Sequence, residues 1–244
     1  MGVYRRRRLA SLTVLPSFRR SSMSIEPTDK AYAGQAIYNP ATLALYDIVV
    51  LGISNRLIWR CPTRHILQLY NQHATDNHLD VGVGTGWYLD HCRFSGPRAR
   101  LGLLDLNQSS LNAAVARLRR YRPEVYRADV LRPFRFETAP FASVSLTYLL
   151  HCLPGTMSEK ARVFDHFGSV LSPGAVVFGA TLLSGGVRRT RAARALMRLY
   201  NNKGIFSNEA DSLDALRQEL KRRFKFVELS VVGCAALFVA RGYL

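Results

Sequence analysis

The stretch HLDVGVGTG places an acid, Asp80, inside a short apolar run and follows it with three glycines at every second position, Gly82, Gly84 and Gly86. A turn stripped of side chains lets a ligand lie against the backbone, and glycine takes the left-handed conformations such a turn demands. Two further acids stand at matching places. Asp105 ends the apolar run LGLLD, 25 residues after Asp80, and Asp129 closes VYRAD. An ionised carboxylate only accepts hydrogen bonds and takes two O–H donors at once, which suits Asp105 to the hydroxyls of a ribose. Asp129 is placed to accept from an amino group on a base.

The spacing excludes two kinds of nucleotide site. A dinucleotide fingerprint needs G-x-G-x-x-G, and Trp87 stands where its last glycine belongs. A phosphate-cradling loop needs a Lys-Ser/Thr pair after the turn, and none follows. Asp80 would repel a pyrophosphate and is better suited to a cationic ligand. A ribose, an amine-bearing base and an ammonium group in one phosphate-free molecule describe S-adenosylmethionine.

DVGVGTG, LLDLN and RADV resemble the motifs of the class I S-adenosylmethionine-dependent methyltransferase family, and the likeness spans residues 76–241. The resemblance implies that Asp80, Gly82, Gly84 and Gly86 lie along the amino acid portion of the cofactor. It implies that Asp105 binds the ribose and that Asp129 lies beside the adenine, with Leu106 and Val130 flanking the base. It places the methyl acceptor near the end of the fourth strand, LTYLLHCLPG, where Tyr148 and His151 are the candidate catalytic residues. His151 is the group there whose ordinary pKa lets it accept a proton near neutrality, a step useful for a hydroxyl acceptor and dispensable for an amine. Cys152 lacks the Pro-Cys context of a nucleophile. An amino-terminal helix is expected to fold over the cofactor, with Tyr38 closing the site, and LYNNKGIFSN (199–208) to form the other wall.

These residues need a scaffold, and the hydrophobic rhythm supplies one. Strands at 78–83, 100–106, 125–130, 143–150 and 175–183 alternate with helices near 86–94, 108–121 and 158–171, where Pro173 and Gly174 should stop the last. Such alternation means right-handed crossovers and a parallel sheet covered on both faces. After a helix at 211–224, strands at 227–232 and 236–241 are too close for a crossover and must pair as an antiparallel hairpin. The expectation is an α/β, Rossmann-like sheet of seven strands, mostly parallel with the last reversed. Residues 1–22 form a basic segment, 23–75 a helical lid and 76–244 the core.

The chain carries 34 basic and 17 acidic residues, a net charge of +17. Six of the arginines precede the first acid, Glu26, in a segment whose composition matches a mitochondrial transit peptide, a disordered tail or an upstream start. Much of the remaining charge falls on helical faces. The four cysteines form no CxxC and the histidines show no ligand spacing, so reduced thiols, a cytoplasmic location and no metal are expected. No apolar run is long enough to span a bilayer. A small-molecule acceptor is the favoured reading. The alternatives are an RNA or protein methyltransferase using the basic surface, and a protein of this fold that binds the cofactor without methylating.

Overall fold

The computed structural model describes residues 47–244 apart from Pro97. The basic segment 1–22, much of the expected lid and Tyr38 lie outside the described residues. Five parallel strands come first: β1 (Asn77–Val81), β2 (Arg100–Asp105), β3 (Glu124–Arg127), β4 (Phe141–Thr147) and β5 (Leu171–Leu182). The chain then closes with a hairpin of β6 (Phe224–Val232) and β7 (Ala235–Tyr243). The sheet order is β3-β2-β1-β4-β5-β7-β6, with β7 antiparallel to both neighbours, so the last strand is reversed as expected. The order reverses beside β1, between β1 and β4, and the glycine turn sits at that switch point, where open α/β sheets bind ligands.

Helices cover both faces. On one lie α1 (Thr63–His73), α2 (Trp87–His91), α3 (Gln108–Arg117) and α6 (Arg191–Asn202), whose Ile66, Leu89, Leu111 and Met197 pack with Leu103 and Phe178 of the sheet. On the other lie α4 (Met157–Lys160), α5 (Arg162–Asp165) and α7 (Leu213–Lys221), whose Met157, Phe164 and Leu216 pack with Leu79, Val144 and Phe238. Before α1, residues Asp47–Ile58 are helical with a wide π-type winding. Among the described residues no helix is long and apolar enough to cross a membrane.

Three local expectations need correction. The single helix at 158–171 is two short helices and a 3-10 turn, His166–Ser169, and β5 starts at Leu171, ahead of Pro173 and Gly174. Those two residues therefore sit in the irregular, exposed opening of the strand, where the register with β4 shifts and a proline is tolerated. β3 ends at Arg127, so Asp129 lies two residues beyond it in a turn. The segment 199–208 begins inside a helix that the hydrophobic rhythm does not predict: Thr190 accepts the Ala193 N–H at 3.0 Å and opens the 12-residue α6, which presents Arg191, Arg194 and Arg198 to solvent.

Candidate functional site

The glycine turn leaves β1 through left-handed backbone at Gly82 (φ 73°), Gly84 (φ 55°) and Gly86 (φ 72°). The three positions have different neighbours. A Cβ on Gly82 would stand 3.0 Å from Leu149, and one on Gly86, the cap of α2, would stand 3.2 Å from the Ala114 side chain in α3. A Cβ on Gly84 would meet nothing within 4 Å among the described residues. Gly84 is thus the point at which the backbone is bared to open space.

That space is a cleft of about 830 Å³, counting its open mouth, lined by Gly82, Gly84, Asp105, Leu106, Asp129 and Val130, with Tyr148 and Cys152 beyond them. Asp105 is half-buried at the end of β2. Its Oδ1 accepts the Asn107 N–H at 2.8 Å. Burial pushes its carboxyl up to about 6, against the pull of the Asn107, Gly84 and Leu106 N–H groups. Asn107 in turn caps α3, accepting from the Ser109 and Ser110 N–H groups at 2.8 and 3.1 Å. Asp129 is buried; its Oδ1 takes the Leu131 N–H at 3.0 Å and its Oδ2 lies 3.8 Å from the Arg132 guanidinium. The sequence-expected Asp105, Leu106, Asp129 and Val130 therefore share one wall.

Asp80 lies on the other side of the turn. It lines a smaller recess with Tyr70 and Tyr88, and that recess shares Gly82, Gly84, Thr147 and Tyr148 with the main cleft. Asp80 is 4% exposed, and its Oδ1 accepts from Ser145 Oγ at 2.5 Å and from Tyr70 OH at 3.0 Å. Burial pushes its carboxyl up to about 7, opposed by these two donors. Neither donor carries a motif. Ser145 sits in the strand FASVSLT, where Ser143 and Ser145 alternate with apolar residues; in the fold their face is buried and occupied by His78 and Asp80. The alternation itself was the available signal.

At the end of β4, Tyr148 takes a left-handed conformation (φ 58°) while its N–H donates to Ala180 O at 2.7 Å; the residue lines both recesses, and its side chain meets the Cys61 thiol. His151 does not line the cleft. It is 3% exposed on a 3-10 turn, Leu150–Cys152, with its ring edge-on to Phe206 at 4.5 Å between centroids. Its Nδ1 accepts the Leu182 N–H at 3.2 Å and lies 3.3 Å from Thr181 Oγ1, so the neutral ring carries its proton on Nε2. Burial holds its pKa down at about 3, aided by the Lys160 ammonium. Cys152 does line the cleft, but burial pushes its thiol up to about 12, far from a nucleophilic thiolate. Among the described residues no group of His, Cys, Asp and Glu is arranged to hold a metal.

A cleft at the switch point, with Asp105 and Asp129 on its wall and Asp80 in the adjoining recess, is where open α/β folds of this kind bind their ligands. Comparison with known proteins narrows this. A family model described as a methyltransferase domain matches residues 79–177. The chain is 39% identical over 207 residues to demethylluteothin O-methyltransferase of Streptomyces thioluteus, covering 85% of this chain and 90% of that one. It is 40% identical over 218 residues to the physcion biosynthesis cluster O-methyltransferase of Aspergillus chevalieri, covering 88% and 96%. Its fold is similar to N-methyltransferase NodS from Bradyrhizobium japonicum WM9, solved with S-adenosyl-L-homocysteine (TM-score 0.59, 16% identity, 88% of this chain and 99% of that one). The chain belongs to the class I S-adenosylmethionine-dependent methyltransferase family, and it is an enzyme of that family.

Proposed function

We propose that this chain binds S-adenosylmethionine across the glycine turn and moves its methyl group to a hydroxyl oxygen, or to a nitrogen, of a small organic acceptor. The observation that carries this reading is the pair of recesses joined over Gly82 and Gly84, with Asp105 and Asp129 in one and Asp80 in the other. The residues fit the cofactor: Gly84 bares the backbone where any side chain would intrude, and the acids offer acceptors at three separated points. Asp105 would take the ribose hydroxyls, Asp129 with Leu106 and Val130 would frame the base, and Asp80 would take the ammonium. When bound, the sulfonium supplies an electrophilic methyl group. The chain's own task is then to align an acceptor with that methyl and to exclude water.

Tyr148 lines both recesses and is assigned to the acceptor wall. His151, the other candidate of that wall, lies one residue before the cleft-lining Cys152 but is buried behind it with its Nδ1 lone pair taken by the Leu182 N–H, so its role is to support the turn that carries Tyr148 and Cys152 rather than to meet the acceptor. The two relatives named as O-methyltransferases support an oxygen acceptor. The test is release of S-adenosylhomocysteine from the full chain given S-adenosylmethionine and a panel of phenolic and enolic hydroxyl compounds. Turnover on such an acceptor, lost in Asp105→Ala, is the expected result. Binding of the cofactor without transfer to any acceptor class would leave a non-methylating protein, and no binding would overturn the reading.

A further inference from the structure

The buried polar face of β4 joins β1 in a chain of hydrogen bonds that ends on Asp80. The Thr75 N–H donates to Ser143 Oγ at 2.9 Å, and Ser143 Oγ lies 2.8 Å from His78 Nδ1. His78 Nε2 lies 2.9 Å from Ser145 Oγ, which donates to Asp80 Oδ1 at 2.5 Å. His78, Ser143 and Ser145 are wholly withdrawn from solvent.

The two ends fix where each proton sits. A carboxylate only accepts, so the single hydrogen of Ser145 is committed to Asp80 and its oxygen must receive the Nε2 proton of His78. The imidazole is neutral, because burial holds it at about 3, so Nδ1 keeps its lone pair and receives the Ser143 hydrogen. Every donor from Thr75 onward then points toward Asp80, and head-to-tail dipoles reinforce one another in a low-dielectric interior. The other tautomer breaks the chain. With the proton on Nδ1, Ser145 would have to donate back to Nε2 and Asp80 would lose a donor.

Among the described residues, both side-chain donors to Asp80, Ser145 and Tyr70, converge on Oδ1. Oδ2 is the oxygen left for a ligand in the adjoining recess. The remaining groups facing Asp80 are Asp105 across the turn and Cys92 after α2, with Tyr70 from α1 and His78 from β1. Burial pushes Tyr70 well above its ordinary value and Cys92 up to about 12, so only the two acids change charge near neutrality.

We propose that His78 is a positioning residue which, through Ser145, holds Asp80 ionised so that Oδ2 receives the cofactor's ammonium group. This rests on the cofactor reading above. Affinity for the cofactor then depends on pH through Asp80, and the relay sets where on the pH axis it falls away.

The test uses the full chain, with S-adenosylhomocysteine as the probe in calorimetric titrations from pH 6 to 8.5 and nitrogen NMR of the imidazoles. The wild-type chain is expected to bind more weakly toward pH 6. Ser145→Ala is expected to bind about tenfold more weakly near pH 7, the effect of one charge-assisted hydrogen bond, and to converge on wild type at high pH. His78→Leu should behave alike, and His78→Gln, which keeps an N–H toward Ser145, should restore binding. Ser145→Cys, a weaker donor of similar size, serves if the alanine variant does not fold. The spectrum should show His78 protonated on Nε2 alone. A proton on Nδ1, or variants weakened by one factor at every pH or not at all, would overturn the proposal. Failure of the wild-type chain to bind at any pH would instead overturn the cofactor reading, while the imidazole spectrum would still decide the relay.

Discussion

Lys160 Nζ and Asp211 Oδ2 stand 2.6 Å apart with both side chains excluded from solvent. The same ammonium donates to Ser207 O, and the Asp211 backbone oxygen receives the Ser184 and Gly185 N–H groups at 2.9 Å each. The ion pair and these backbone bonds together tie the loop between α6 and α7 to α4 and to the segment that follows β5. Burial lowers the Lys160 pKa and raises that of Asp211, and each is drawn back by its partner. Asp211 Oδ1 has no hydrogen-bond partner among the described residues, so the carboxylate leans on Lys160.

Removing one partner should cost far more than removing both. Lys160→Met strands a buried carboxylate and is expected to destabilise the chain by about 3–5 kcal/mol. The double variant Lys160→Met/Asp211→Leu should recover most of that loss. Urea denaturation of the two single variants and the double variant checks this, and an additive result would sink it.

Asp105 accepts the Asn107 N–H of its own turn, is drawn on more weakly by the Gly84 and Leu106 N–H groups, and lines the cleft. Asp105→Ala is therefore expected to leave the melting temperature nearly unchanged while weakening S-adenosylhomocysteine binding by about 10- to 100-fold, the range for hydrogen bonds to a charged acceptor. Calorimetry against thermal melting separates the two effects.

Gly82 and Gly84 share a left-handed backbone but not a neighbourhood, and alanine should tell them apart. Either substitution strains the backbone by about 1–2 kcal/mol. Gly82→Ala also drives a Cβ to 3.0 Å from Leu149, so it should lower stability further. Gly84→Ala meets no atom of the described residues within 4 Å. Its penalty should fall on ligand binding, by about tenfold, because its methyl enters the space read as the cofactor's. Equal effects of both variants on stability and on binding would contradict the division.

The strand-turn-helix rhythm made the sheet legible because apolar runs bounded by acids and glycines leave little choice of element. Asp105 and Asp129 were readable for the same reason, each closing such a run. The relay behind Asp80 was not. His78 looks like one more strand residue, and Ser143 and Ser145 like the polar half of an alternating strand, until parallel pairing of β1 with β4 sets His78 beside Ser143 and Asp80 beside Ser145. The break at 158–171 was hidden because SEKARVFDHFGSVL has apolar residues at helical spacing, which continues through the 3-10 turn. The Lys160–Asp211 pair escaped notice because its partners are 51 residues apart and lysine is ordinarily a surface residue.

His151 yields a prediction about pH. Its pKa in the folded chain, about 3, lies below the 6.5 of an exposed imidazole, because burial and the Lys160 ammonium disfavour the charged ring. The unfolded chain therefore binds a proton at His151 that the folded chain refuses. The stability this site permits is complete above pH 6.5 and is lost as pH falls toward 3. A variant that cannot titrate escapes this loss. His151→Gln, whatever its stability at pH 7, should gain on the wild type by roughly 2–3 kcal/mol between pH 6.5 and pH 4.5, about 1.4 kcal/mol for each pH unit. Unfolding free energies of the two proteins at both pH values test it. Parallel pH profiles would mean that the ring is charged in the fold, and the Nδ1 contact with Leu182 N–H would have to be abandoned. A kcat profile at saturating cofactor should likewise show no inflection near 6.5 from this residue, since a ring held neutral down to pH 3 has no proton to lose there.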